Sequence, residues 1–150
     1  MELWNSLGEV LDYAIGEEEA AADFYSRLAL RTKVPGMKSV FEGFAQEEIG
    51  HKEKLQAVKA GITFLSASQK VMDPRIAEYV VDVKLDPFLN YRDALVLAMK
   101  KEKAAFRLYS ILAESMEDQV LKTTFLALAQ EEAKHKLRFE LEYDDLLIEN

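Results

Sequence analysis

Ala45-Gln46-Glu47-Glu48-Ile49-Gly50-His51 and Ala129-Gln130-Glu131-Glu132-Ala133-Lys134-His135 are the two stretches on which the reading of this chain turns. They hold its only two histidines, each three residues after a glutamate. On a helix, positions i and i+3 share a face, so each Glu-x-x-His aims a carboxylate and an imidazole at one point. Glutamate is 18 of the 150 residues, so both histidines would acquire one at that spacing by chance roughly one time in seventy. The pattern predicts two helices that each carry a bidentate clamp.

Working outward, residues 9–59 set over residues 93–143 without a gap give 17 identities in 51 positions. They include Ala14/Ala98, Glu18/Glu102, Ala21/Ala105, Tyr25/Tyr109, Phe41/Phe125, Ala45/Ala129, Glu48/Glu132 and His51/His135. The chain is therefore an internal repeat, and each half should be a helical hairpin. Apolar residues recur at steps of three and four over Ser6 to Thr32, with Leu7, Leu11, Ala14, Glu18, Ala21, Tyr25 and Leu28 inward. After Pro35-Gly36, Phe41, Phe44, Glu48, His51 and Leu55 continue the pattern to Gly61. A third helix is expected from Tyr91 to Ser115, with Leu95, Ala98, Glu102, Phe106, Tyr109 and Leu112 inward. A fourth is expected from Asp118 to Leu146, with Leu121, Phe125, Leu128, Glu132, His135 and Phe139 inward. Between Gly61 and Tyr91 the period fades around Asp73-Pro74 and Asp86-Pro87, leaving a connector with one short helix over Arg75 to Val83. The expectation is one all-α domain: hairpin 6–60, crossover 61–90, hairpin 91–147, forming a four-helix bundle.

Composition narrows the chemistry. The chain is 49% hydrophobic and 31% charged, enough apolar residue for a core and too much for a disordered tail. A net charge of −8 repels phosphate backbones and anionic bilayers, so nucleic acid and membrane partners are not expected. No apolar run is long enough to span a bilayer and no secretory signal is visible, which points to a soluble, cytoplasmic protein. Without cysteine, disulfides, thiolate zinc sites, iron–sulfur clusters and thiol nucleophiles drop out together. Any metal must be held by oxygen and nitrogen.

Glu18 and Glu102 interrupt the apolar faces of the first and third helices at equivalent places in the repeat. With Glu48 and Glu132 they make four carboxylates aimed at an apolar interior, each costing several kcal/mol if charged and uncompensated. Two divalent cations balance four carboxylates, and the neutral imidazoles of His51 and His135 complete the donors. Glu47 and Glu131 lie ~100° round the helix and should either face water or support a ligand from behind, not touch the metal. Tyr25 and Tyr109, two turns beyond Glu18 and Glu102, are either hydrogen-bonded to a ligand or plain core tyrosines. Phe24, Phe41, Phe44, Phe106 and Phe125 read as core. Gly16, Gly43 and Gly50, absent from the second half, suggest a closer helix approach or an access path in the first. Leu95, Val96 and Leu97 suggest a second apolar stripe through which the chain could dimerise.

The strings Glu18-x-x-Ala21-x-x-Phe24-Tyr25 with Glu47-Glu48-x-x-His51, and Glu102-x-x-Ala105-x-x-Leu108-Tyr109 with Glu131-Glu132-x-x-His135, resemble a known family in order and spacing. The chain is similar to the rubrerythrin-type members of the ferritin-like di-iron carboxylate superfamily over nearly all its length outside the connector. The resemblance implies a ferritin-like bundle holding two iron ions, with manganese or zinc as alternatives. Glu48 and Glu132 would bridge the ions, Glu18 and His51 would complete one site, and Glu102 and His135 the other. It implies a non-haem di-iron oxidoreductase whose six ligands are its catalytic residues, reducing peroxide or dioxygen. Such proteins commonly carry a cysteine-ligated rubredoxin domain; this chain has no cysteine and would draw electrons from an external donor such as a rubredoxin-like protein. The family's peroxidases also hold an extra glutamate three residues after the third-helix ligand, where this chain has Ala105. The alternatives are a ferroxidase serving iron storage or detoxification, manganese catalase chemistry, and a bundle with a structural metal that acts through partners.

Overall fold

Ser6, Asn90 and Asp118 open three of the helices in the same way, each side chain accepting a backbone N–H three residues on. The Ser6 hydroxyl accepts from Glu9 at 3.2 Å, Asn90 Oδ1 from Asp93 at 2.8 Å, and Asp118 Oδ1 from Leu121 at 3.0 Å. Each such cap satisfies an N–H that the helix cannot satisfy itself. The computed structural model describes residues 6–65 and 89–149, with side chains for 6–61 and 89–148. The helices are α1 (Leu7–Arg31), α2 (Met37–Leu65), α3 (Tyr91–Ser115) and α4 (Gln119–Glu149), and among the described residues there is no strand. The short helix expected over Arg75 to Val83, and most of the crossover, lie outside the described residues.

The chain divides between Met72 and Asp73 into two compact units, the first holding α1 packed on α2 and the second α3 packed on α4. Each is the helical hairpin that the repeat predicts. Helix α1 stops where Thr32 turns extended (ψ 140°), with its N–H still bonded to the Leu28 carbonyl at 2.8 Å. Pro35 cannot continue a helix, and Gly36 then takes a left-handed turn (φ 82°) that starts α2 at Met37.

Four expectations need correction. Helix α2 does not end at Gly61 but runs to Leu65, because a glycine ends a helix only when it takes the left-handed turn, and only Gly36 has positive φ. Phe106 is not core: it is 37% exposed. It sits about 80° round the helix from Ala98, at the border of the arc that buries Ala98, Glu102, Tyr109 and Leu112. Of the Leu95, Val96 and Leu97 stripe, Leu95 and Leu97 are buried in the core and Val96 is half-buried, so these three do not form an exposed apolar face. Nor do Gly16, Gly43 and Gly50 mark a close approach, since a Cβ at any of them would meet nothing within 4 Å.

The buried face of the first hairpin runs through Leu7, Leu11, Ala14, Phe24, Leu28, Phe41 and Leu55, and that of the second through Leu95, Ala98, Leu108, Leu112, Phe125, Leu128 and Phe139. In the middle of each apolar face stand three ionisable side chains.

Candidate metal centre

Helix α1 contributes Glu18 to the first hairpin's interior, and α2 contributes Glu48 and His51 one turn apart. His51 Nδ1 lies 3.4 Å from Glu18 Oε2 and 3.4 Å from Glu48 Oε1. In the second hairpin α3 contributes Glu102 and α4 contributes Glu132 and His135. Here His135 Nδ1 is 3.7 Å from Glu102 Oε1 and 3.9 Å from Glu132 Oε1. All six residues are buried, with exposures of 1–3%. Within each triad, one ligand atom from every member lies within 4.8 Å of the others. The structure thus brings together the three predicted donors of each half. It keeps Glu47 exposed and Glu131 half-buried, outside the triads.

Those separations are informative. Charge-assisted hydrogen bonds between an imidazolium and a carboxylate run at about 2.7–2.9 Å. The facing donor atoms here stand further apart. A divalent ion bonded to nitrogen and oxygen at about 2.0–2.2 Å holds neighbouring donors roughly 3.0–3.5 Å from each other. The first triad has that spacing and the second is wider by a few tenths of an ångström. Two carboxylates and one imidazole, with no thiolate, are a donor set suited to iron, manganese or zinc.

Electrostatics point the same way. Burial, reinforced by the neighbouring Glu48 carboxylate, raises the Glu18 carboxyl well above the usual carboxylate range, and His51 only partly opposes this. Burial alone would favour neutral His51; the carboxylates of Glu18 and Glu48 overrule it and push the imidazole up to about 10. Without a cation the cluster therefore holds protons that water would have removed. A metal ion supplies the same positive charge and displaces them.

The surroundings are apolar. Phe24, Phe41 and Tyr25 are buried, and the Tyr25 ring meets Phe44 edge-on at 6.3 Å and Phe24 at 5.6 Å. Tyr109 is buried likewise. Contacts that the sequence did not single out fix the register of each hairpin. Lys59 bonds Asp12 and Lys52 reaches Glu19 at 3.7 Å in the first. In the second, the Tyr91 hydroxyl donates to Glu142 at 2.9 Å and Arg92 lies over the Tyr143 ring. Such pairs join residues far apart in sequence, and no local spacing announces them.

Comparison with known proteins adds the family. A family model described as a ferritin-like domain matches residues 7–140. Among solved structures, a hypothetical protein from Pyrococcus furiosus is similar, with 27% identity, a TM-score of 0.77, and coverage of 95% of this chain and 90% of that one. No curated protein matches significantly.

Proposed function

The chain belongs to the ferritin-like domain family, and from that premise we propose that it is a non-haem di-iron oxidoreductase of rubrerythrin type, reducing peroxide or dioxygen with electrons from an external donor. One observation carries the reading: each hairpin buries an equivalent Glu–Glu–His triad, Glu18/Glu48/His51 and Glu102/Glu132/His135, whose ligand atoms lie within 4.8 Å of one another. Four buried carboxylates against two divalent ions leave no net charge in the interior. The rubrerythrin resemblance supports sharing Glu48 and Glu132 between the ions, so that loss of either carboxylate disturbs both.

Iron bound there would supply the one-electron steps that peroxide or dioxygen reduction requires. The protein's part is to hold and to insulate. Carboxylates can shift between one and two bonding oxygens as charge in the site changes, whereas His51 and His135 give fixed nitrogen donors. The triads stand in helix faces that also bury Phe24, Phe41, Phe125 and Phe139, and an apolar interior of that kind strengthens every charge interaction inside it. Tyr25 and Tyr109 are buried two turns along the same helices from Glu18 and Glu102, and a hydroxyl that hydrogen-bonded a ligand carboxylate would orient it.

Anaerobic loading with Fe(II), followed by peroxide, tests the proposal. Two irons per chain and a ferric absorption on oxidation are expected. Glu132→Ala should lose both irons; retention of one oxidisable iron would show independent sites and defeat the shared pair. The double variant His51→Ala/His135→Ala should abolish peroxide-driven oxidation, and its survival would defeat the mechanism. Ala105, standing where the family's peroxidases hold a further glutamate, favours a second reading in which Fe(II) is itself the substrate of a ferroxidase. Oxidation of many irons per chain, without an added reductant, would select it.

A further inference from the structure

Helices α1 and α3 hold equivalent places in the repeat but carry opposite charge. Helix α1 has six acidic and two basic residues, whereas α3 has five basic and three acidic. Among the four described helices α3 is the one with a net positive charge, in a chain of net −8. The exchange is local. Lys100, Lys103 and Arg107 are exposed and stand at steps of three and four residues, so they share one face of α3. Their counterparts in α1 are Gly16, Glu19 and Asp23. Asp93 and Glu114, the nearest exposed acids on α3, lie seven residues beyond either end of the row, about two turns away. Phe106 borders the row. It is 37% exposed, where its counterpart Ala22 is buried. It follows the buried donor Glu102 by four residues, so the two side chains are neighbours on the helix.

We infer that this face of α3 is where a small acidic electron-transfer protein docks, its surface meeting Phe106 and its carboxylates pairing with Lys100, Lys103 and Arg107. The partner's role rests on the oxidoreductase reading; the face and the sign of its charge do not. Reducing one peroxide breaks its O–O bond and, with two electrons and two protons, gives two waters. The donor is oxidised in the exchange and the protons come from water, so a one-electron donor must come and go twice in each turnover. Such redox encounters use small surfaces and are steered by charge. An exposed ring beside an arginine is the composition found at the centre of interfaces, and the lysines supply a polar rim. The rest of the chain, at net −8, repels an acidic partner, so this face also fixes the direction of approach. A partner seated on Phe106 comes within about one helical turn of Glu102 in the second triad. Nucleic acid is a poorer occupant, because its phosphates continue past the short basic row into that repulsion.

Calorimetric titration of the iron-loaded chain with an acidic rubredoxin, at low and high salt, tests the inference, together with stopped-flow reduction of the ferric protein by the same donor. Binding that weakens as salt rises is expected. Lys103→Glu/Arg107→Asp, which installs the residues that α1 holds at those places, should weaken binding and slow reduction by about tenfold or more. Lys33→Glu/Lys38→Glu makes the same change in net charge at exposed positions around the turn of the first hairpin and should leave both nearly unchanged. Phe106→Ala should weaken binding while its salt dependence stays. Both charge variants should take up iron, and be reduced by dithionite, as the unaltered chain is. Absence of binding, or equal weakening by the two charge variants, overturns the inference. Equally tight binding of a single-stranded oligonucleotide overturns it too, as does a dimer in sedimentation velocity that Lys103→Glu/Arg107→Asp dissociates, since a second copy would then cover the face. Charge-dependent binding by a chain whose dithionite-reduced iron peroxide does not oxidise defeats the oxidoreductase reading and leaves the docking face standing.

Discussion

At the scale of single residues, the triads trade stability for chemistry. Glu18, Glu48 and His51 sit in an apolar face where leucine would pack at no electrostatic cost, and burial raises Glu18 while Glu18 and Glu48 raise His51. The sign of the pH effect follows. The metal-free native state holds more protons than the unfolded chain, so its stability falls as pH rises. For His51 the contribution is complete below the unfolded value near 6.5 and is lost as pH climbs through about 10. Glu18, also raised, adds a loss in the same direction. Melting temperatures of chelator-treated protein should therefore drop between pH 6.5 and 10, whereas the metal-loaded protein, whose cation has displaced those protons, should show no such drop. Equal pH dependence in both forms would mean that the triad's protons and the metal do not compete. These six residues were legible in sequence because both clamps use i, i+3 spacing on one helix and because the repeat supplies Glu18 and Glu102 at matching places. The Tyr91–Glu142 and Lys59–Asp12 contacts were not, since each joins residues about fifty positions apart.

At the scale of elements, helix boundaries followed from local chemistry. The caps Ser6, Asn90 and Asp118, the Pro35-Gly36 break and the helix formers between them leave little freedom. Gly61 misled because a glycine in sequence does not disclose its φ. The same physics makes Gly16, Gly43 and Gly50 weak points: all three are exposed helical positions where a methyl group meets nothing. Each substitution to Ala should stabilise the protein by about 0.5–1 kcal/mol, by removing the backbone freedom that glycine gives the unfolded chain. Chemical denaturation of the single variants and the triple variant checks this, with roughly additive gains expected at these separated sites. A loss of stability at Gly16 would reveal a close neighbour. Helix α4 shows the limit of periodicity. Besides the buried Phe125, Leu128 and Phe139 it carries Leu126, Leu137, Leu141 and Ile148 facing outward, and such exposed apolar residues blur a single-stripe pattern.

At the scale of the whole molecule, metal and fold are linked. A ligand that binds only the folded chain stabilises it by about 2.7 kcal/mol at a hundredfold excess over its Kd. Anaerobic Fe(II) or Mn(II) should thus raise the melting temperature in proportion to the logarithm of its concentration, and the effect should be reduced in Glu48→Ala. A melting temperature indifferent to metal would remove the triads from consideration as a binding site. The ferritin-like fold was within reach of the sequence by itself: the all-α class, the repeat, the two hairpins and the identity of the six donors are written in local spacing, which helix geometry converts directly into faces. What only tertiary structure decided is depth and distance. It buried all six donors, set the triads at 3.4–3.9 Å, turned Phe106 outward, folded Leu95 and Leu97 into the core and left the α4 leucines facing solvent. A residue's place on a helix wheel is a property of one helix, whereas its burial depends on how wide an arc the neighbouring helices cover.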